Sequence, residues 1–403
     1  MLRNSKRAKI HLFNDLPHLY ELADMMDFCA KYEHLYICGA AENQEYLLKF
    51  FDSCGITIDG YTVTCPEEQC LSHYRKIPIL AIDEVIQKPK TGVILALSDR
   101  HYRYFIPKFR KVGFSDYFAM TEYNKQTIAE QMKPRPIEEM TFEINLADHC
   151  NLSCQMCDHY SQLSEEKFVD MEVFERDLKQ MGKLYEHKAA AITLLGGEPL
   201  LHKDIIKCLE IVRREFPDAE LIILTNGVLL LKWENSPDGN LWVACKNLGV
   251  HITVTVYPLK LDYASIQEKA QEYGVLLAMS SNIHADELTK IKKISDKHTF
   301  DLQCKAPKYG FVSCLYFNKF NVLREGRYYM CPVSACIGIF NKHFGQHLNL
   351  TEEDSMDIYN AESWKNFADF AAKRIPFCGY CDLPKWVPHS EWKASTKKME
   401  EYV

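Results

Sequence analysis

Cys150-Asn151-Leu152-Ser153-Cys154-Gln155-Met156-Cys157 is the stretch on which the reading of this chain turns. Its three cysteines directly follow Thr141–Leu146, an apolar run that reads as a β-strand. Three thiolates on one loop can hold three irons of a cubane [4Fe–4S] cluster, whereas electron-transfer clusters use four cysteines. The next cysteine along is Cys208, which leaves a fourth iron open to a chelating ligand. The bland use of such a loop is a zinc site completed by His149 or His159.

Outward from this loop, strand and helix patterns alternate. Strands read at Thr141–Leu146, Ala190–Leu195, Leu221–Leu224, His251–Val256 and Val275–Met279. Helices read at Met171–Tyr185, Lys203–Phe216, Leu241–Leu248 and Tyr263–Tyr273. A run of βα units closes into a full or partial barrel with its chemistry at the C-terminal strand ends. Lys133-Pro134-Arg135-Pro136-Ile137 reads as a linker. Before it lies another alternation: a helix from Leu19 to Tyr32, a strand from His34 ending at Gly39, a helix from Glu42 to Cys54, strands at Ile56–Val63, Ile77–Leu80 and Gly92–Leu97, and a helix at Arg103–Val112. That pattern predicts a small parallel sheet with right-handed crossovers. From about residue 300 the chain turns irregular, aromatic and Cys-rich. The predicted domains are 1–130, 138–300 and 301–403, in line with 403 residues at roughly 100–200 per domain.

The composition is that of a soluble globular chain, 47% apolar and 26% charged, which excludes disordered and fibrous classes. A net charge of −7 carries no basic nucleic-acid footprint. No apolar run approaches the roughly 20 residues of a membrane span. Met1–Pro17, with Arg3, Lys6, Arg7 and Lys9, lacks the apolar core of a secretory signal, so the expected location is the cytoplasm. There, several of the 16 cysteines are better read as metal or cluster ligands than as disulfides.

The Cys-x3-Cys-x2-Cys loop resembles the signature of the radical SAM superfamily, and the resemblance extends over about residues 138–285. Gly196-Gly197-Glu198-Pro199, one βα unit later, resembles that family's GGE motif, and Thr225-Asn226-Gly227 a recurrent feature after its third strand. The resemblance implies a central partial (β/α)6 barrel. It implies a cluster on Cys150, Cys154 and Cys157, with S-adenosylmethionine bound near Met156, Gly196, Gly197, Glu198 and Pro199. In that family the GGE motif meets the amino group of the cofactor, and Glu198 suits an ammonium. Thr225 and Asn226 are either cofactor contacts or an Asn-Gly turn. Thr253, Thr255 and Tyr257 on the fourth strand, and Ser280, Ser281 and Asn282 after the fifth, are placed near the cofactor by topology alone; Thr255 and Ser280 are the residues chosen. The implied chemistry is cleavage of S-adenosylmethionine by one electron from the reduced cluster. The resulting 5′-deoxyadenosyl radical then abstracts a substrate hydrogen atom.

A second group is spread out: Cys314, then Cys331 17 positions later, Cys378 47 after that, and Cys381 closing a Cys-x2-Cys. It resembles the twitch form of the SPASM extension, a Cys-rich α+β domain that binds one auxiliary [4Fe–4S] cluster. The implied ligands are Cys314, Cys331, Cys378 and Cys381, with Cys304 or Cys336 as possible replacements. Two clusters and S-adenosylmethionine are thus the expected cofactors, with a flavodoxin- or ferredoxin-type electron donor.

Twitch enzymes of this kind oxidise an alcohol. The expected substrate is a sugar, cyclitol or nucleotide-linked sugar, with the auxiliary cluster as electron acceptor. The alternatives are an epimerase that returns a hydrogen atom from Cys304, Cys336 or Cys245, and a peptide-modifying maturase. A base for the hydroxyl proton is sought among His149, Asp158, His159, Tyr160 and Arg324. His34–Gln44 resembles the first turn of Rossmann-like domains, but Ala41 and Gln44 replace the later glycines of the dinucleotide fingerprint. That favours docking, substrate recognition or partner association for residues 1–130.

Overall fold

The computed structural model describes residues 19–39, 44–63, 77–279, 294–297, 299–385 and 387–403. The chain forms two compact units: Met1–Met132 with Lys308–Ser313, and Lys133–Pro307 with Cys314–Val403.

The first unit begins with α1 (Leu19–Cys29), β1 (His34–Cys38), α2 (Gln44–Ser53) and β2 (Gly60–Val63). It continues through β3 (Ile79–Ala81), α3 (Ile82–Val85), β4 (Thr91–Leu95), α4 (Asp99–Lys111), β5 (Tyr117–Ala119) and α5 (Glu122–Met132). Its sheet runs β3-β2-β1-β4-β5, all parallel. β4 is buried at every position, as a central strand covered on both faces must be. The strand order reverses between β1 and β4, the place where such sheets bind ligands. There the Gln44 amide donates to the Ala96 carbonyl at 2.9 Å. A Cβ on Gly39 would lie 2.6 Å from that amide nitrogen.

The second unit opens with β6 (Thr141–Ala147), α6 (Met171–Leu184), β7 (Ala191–Gly196) and α7 (Ile205–Glu215). Next come β8 (Glu220–Thr225), α8 (Leu241–Leu248), β9 (Val250–Val254), α9 (Tyr263–Tyr273) and β10 (Leu277–Met279). Local sequence sets these helix ends. Asp170 caps α6 by accepting from the amides of Glu172 and Val173 at 3.0 Å, and Gly249 and Gly274 end α8 and α9 in the left-handed conformation. Apolar residues from both sides of the layer, among them Phe142, Leu178, Ile192, Leu209, Ile223 and Ile252, are fully or almost fully buried in one core. Each contributes on the order of 2 kcal/mol of burial free energy.

The series of predicted strands is present, but the sheet is an open, eight-stranded mixed one: β10-β9-β8-β7-β6-β12-β13-β14. β11 (Ile294–Lys297) does not continue it; it pairs antiparallel with β15 (Val387–Glu391). The sixth parallel strand is β12 (Val322–Arg324), which adds to the other edge, beside β6. β13 (Arg327–Tyr329) and β14 (Ser355–Asp357) follow antiparallel, with α10 (Pro332–Phe344) and α11 (Trp364–Ala371) alongside in sequence. The Cys-rich C-terminal region therefore shares the barrel's sheet and also its core, through Tyr328, Ile358 and Phe367. Among the described residues no helix is long and apolar enough to cross a membrane.

Candidate functional site

The loop from Cys150 to Cys157 leaves the C-terminal end of β6. Gly196 and Gly197 bring the end of β7 against its start. A Cβ on Gly196 would lie 2.3 Å from the Ala147 carbonyl oxygen, and one on Gly197 2.0 Å from that of His149. The Gly197 and Glu198 amides donate to these same carbonyls at 2.7 and 3.2 Å. The two glycines are thus required by an approach of one strand end to another, whatever ligand lies above them. Met156 and Tyr160 hold φ of +59° and +54°, costly values for residues with side chains and typical of functional loops. The C-terminal tail lies along this loop: Gln155 donates to the Lys393 carbonyl at 2.9 Å, and Ser395 to that of Ser153 at 2.8 Å.

A cavity of about 370 Å³ opens over the loop. Cys150, Cys154, Cys157 and Met156 are on its wall, with Gly196, Gly197, Thr225, Asn226 and Thr255. Burial pushes the Cys150 and Cys157 thiols up to about 12, and the neighbouring thiols of the loop add to it. A thiolate, the ligand form, is sustained there only beside a cation. Three half-buried thiols on one loop beside a cavity fit an iron–sulfur cluster with an open position; these three residues would hold it. Burial, then the neighbouring Cys154, also pushes the Tyr257 hydroxyl well up.

Glu198 and Pro199 are not on this wall. Instead of meeting an ammonium, the fully buried Glu198 carboxylate accepts from the Thr225 hydroxyl at 2.6 Å, the Asn226 amide at 2.9 Å and the Leu200 amide at 3.1 Å. It locks the turn after β7 to the end of β8, so that Thr225 and Asn226 are presented to the cavity. Burial holds the carboxyl up at about 7 against these three donors. Thr253 is also absent from the wall, while Ser280, Ser281 and Asn282 lie outside the described residues.

The cavity wall also carries charged side chains, of which Asp158 and His159 were expected as candidate bases and Glu143 was not. Glu143, on β6, is there together with Asp158, His159, Ser161, Tyr316 and Phe320. Asp158 accepts from the Tyr316 hydroxyl at 2.8 Å and pairs with His159 Nδ1 at 2.9 Å. His159 Nε2 is buried without a hydrogen-bond partner. Burial is the main cause that lifts Glu143 to about 7, with Asp158 adding to it and His159 opposing. A carboxylate within the strand that leads into the cysteine loop was the available signal. Trp392, also on the wall with its ring 5.9 Å from Tyr257, gave none, because the tail reaches the loop only in the fold.

The remaining base candidates are engaged elsewhere. His149 Nδ1 accepts from the Lys167 amide at 3.2 Å, and Tyr160 packs among Phe300, Phe340 and Tyr402. Arg324 makes a two-pronged pair with Asp148, 2.7 and 2.8 Å, which ties β12 to the end of β6. None of the three proposed hydrogen donors is on the cavity wall. Cys245 is in the core beneath α8, Cys304 is exposed at φ +57°, and Cys336 is buried on α10, where it accepts from the Asn145 amide group at 3.3 Å.

Cys314, Cys331 and the Cys378–Cys381 pair come together from three separate places in the chain. Burial pushes every one of these thiols up, and Cys381 senses Cys378, Cys331 and Cys314 in turn. Four mutually interacting buried thiols fit a cluster with no open position. Cys304 and Cys336 are not among the thiols that Cys381 senses. Tyr316 and Pro332, near neighbours in sequence of Cys314 and Cys331, are on the cavity wall.

Comparison with known proteins bears on the same residues. A probable GTP 3′,8-cyclase of Pyrococcus horikoshii is 38% identical over 97 residues, 24% of this chain and 29% of its own length. The GTP 3′,8-cyclase of Aquifex aeolicus is 31% identical over 100 residues, 24% and 30%. The chain thus matches less than a third of the length of these relatives. Among solved structures, BtrN in complex with AdoMet and 2-DOIA is 17% identical, covering 66% of this chain and 97% of its own, at a TM-score of 0.38. SuiB of Streptococcus suis bound to S-adenosylmethionine is 15% identical, covering 62% and 67%, at 0.24. The profile of the Radical SAM superfamily matches residues 144–308, from β6 through the cysteine loop and the βα units that follow. The chain carries a radical SAM domain over those residues.

Proposed function

We propose that this protein oxidises a hydroxyl-bearing carbon of a sugar or cyclitol, with an auxiliary cluster on Cys314, Cys331, Cys378 and Cys381. The observation that carries the reading is a single cavity bounded at one side by the Cys150–Cys157 loop and, at Tyr316 and Pro332, by residues next to two of the four buried thiols. When bound, the first cluster and S-adenosylmethionine supply a 5′-deoxyadenosyl radical, and the auxiliary cluster supplies an acceptor for one electron. The chain's own residues do the rest. Thr225, Asn226 and Thr255 form the wall nearest Gly196 and Gly197 and orient the cofactor. His159, with Nδ1 fixed by Asp158, offers Nε2 to a substrate hydroxyl. Phe320, Tyr257 and Trp392 close the cavity against water, which protects a radical from quenching. Dehydrogenation is preferred to epimerisation because, among the described residues, the wall has no thiol besides the three of the loop. A flavodoxin- or ferredoxin-type protein is the proposed reductant.

The test is turnover in D2O by anaerobically reconstituted protein given reductant, S-adenosylmethionine and a panel of sugars and cyclitols. A product about two mass units lighter, formed with 5′-deoxyadenosine, supports dehydrogenation. An isomer carrying one solvent deuterium sinks it in favour of epimerisation.

A further inference from the structure

We propose that Arg374 makes the second group of thiols a better electron acceptor, by setting an uncompensated guanidinium beside the Cys378–Cys381 turn; this rests on the reading of that group as an auxiliary cluster. Arg374 precedes the turn directly, four residues before Cys378. The Cys378 amide donates to the Ile375 carbonyl at 3.1 Å, and the Cys381 amide to the Cys378 carbonyl at 3.2 Å, so the turn folds back toward Arg374. A Cβ on Gly379, between the two cysteines, would lie 3.7 Å from Arg374 Nη2 and 2.6 Å from Cys304 Sγ. The guanidinium thus stands against the backbone that carries two of the four thiols. Its field reaches both. Burial pushes Cys378 and Cys381 up, other thiols of the group add to it, and Arg374 opposes them. At Cys314 and Cys331 the opposing groups are backbone amides and the Ser334 hydroxyl instead.

No anion of the protein claims this cation among the described residues. The neighbouring Lys373 pairs with Glu353 at 3.9 Å, whereas Arg374 has no such pair and its Nε is buried without a hydrogen-bond partner. Asp354, whose charge also reaches Cys378, is committed to another turn. It accepts from the Thr351 amide at 2.7 Å, the Thr351 hydroxyl at 2.9 Å and the Phe377 amide at 2.7 Å. A half-buried cation without an anion is costly, and the thiolates of the second group are the anions within its reach. Net charge around a cluster is one of the settings of its potential. A cube on four thiolates is negative and becomes more so when it takes an electron, so an unpaired cation favours the reduced form. Arg324 offers no such help to the first loop, because Asp148 neutralises it through two bonds of 2.7 and 2.8 Å. Arg374 touches no substrate; it is a positioning residue that acts through the second group.

A potentiometric titration followed by electron paramagnetic resonance tests this on the reconstituted full chain, without substrate. The second cluster's signal is the one that added S-adenosylmethionine leaves unchanged, because four thiolates leave no open position. Arg374→Met and Arg374→Gln should keep iron near about eight per chain. In both, the ratio of reduced to oxidised second cluster at a fixed potential should fall about ten-fold, a shift of about 59 mV for one electron. Arg374→Lys keeps a charge without the fork and should recover about half of that shift, and the first cluster's signal should not move in any variant. An unmoved second signal in the neutral variants, a lysine variant that behaves as they do, an equal shift of both signals, or iron near about four in both neutral variants would each overturn the assignment. Iron near about four in the wild-type protein would overturn it together with the auxiliary cluster. Whether wild-type protein, given reductant and substrate, forms 5′-deoxyadenosine and a product about two mass units lighter reports separately on the oxidation reading.

Discussion

The two cysteine groups are built in opposite ways. Cys150, Cys154 and Cys157 come from one loop and line a cavity, with strained backbone at Met156 held down by the C-terminal tail. Cys314, Cys331 and the Cys378–Cys381 pair come from three places and lie off that cavity wall, each thiol pushed up by burial. One arrangement leaves room for an exchangeable ligand; the other surrounds its occupant with protein. In the proposed reaction the first group makes the radical and the second only has to accept an electron, which needs no open position. The difference teaches that the number of thiols matters less than whether a fourth position faces space.

The largest effects should come from breaking each group in turn. Replacing Cys150, Cys154 or Cys157 with Ala is expected to remove S-adenosylmethionine cleavage to below detection and to lower iron from about eight to about four per chain. Cys378→Ala or Cys381→Ala should lower iron by the same amount while uncoupled formation of 5′-deoxyadenosine persists without oxidised product. Cys304→Ala and Cys336→Ala should leave iron near eight. Loss of iron in either of the last two, with retention in Cys314→Ala or Cys331→Ala, would reassign the second group.

How legible each group is in the sequence follows from the same contrast. The loop is a local spacing after a strand, and its helix neighbours end at local signals such as Asp170, Gly249 and Gly274, so that part of the fold is readable residue by residue. In the second group only Cys378 and Cys381 share a local spacing; the joining of Cys314 and Cys331 to them came through a resemblance, and only the fold shows the four thiols interacting. β5 and β12 are three residues each, too short for a period to register. Hence the sixth parallel strand was not read from the sequence; the fold places it beside β6. Glu143 puts a carboxylate within a strand, but whether such a charge faces solvent or a cavity depends on what covers the strand. The fold supplies that cover through Tyr316 and Phe320. Glu198 was read from its motif as a cofactor partner because nothing local says that Thr225 and Asn226 will reach it first.

The Arg324–Asp148 pair connects the two regions: Asp148 is two residues before Cys150, and Arg324 ends β12, which leads through β13 toward Cys331. The side chains are only 14% and 9% exposed. Removing one partner of a buried pair leaves an uncompensated charge, so Arg324→Ala should cost about 3–5 kcal/mol in a denaturant titration. Arg324→Met with Asp148→Leu should recover most of that loss, because neither charge then remains buried. If Arg324→Ala were instead neutral, the junction between β6 and β12 would be held by backbone pairing alone, and the two groups would be mechanically independent.

The smallest expected effect is at Glu143, between the two regions. Burial lifts its carboxyl from the ordinary carboxylate range to about 7, with Asp158 adding and His159 opposing. In the unfolded chain it ionises near pH 4.3. Between these values folding takes up a proton, so the stabilising contribution is complete below the lower value and is lost as pH rises through about 7. Glutamine cannot ionise, so Glu143→Gln should match the parent near pH 4 and exceed it by roughly 1–3 kcal/mol near pH 8, measured as the difference in unfolding free energy without substrate. A gain at high pH means that the empty cavity carries a carboxylate that the fold alone would replace, which is the signature of a residue kept for a ligand at the expense of stability. Equal stability at both pH values would mean that a cation already neutralises Glu143, and the polar end of the cavity would then belong to the structural side of the comparison.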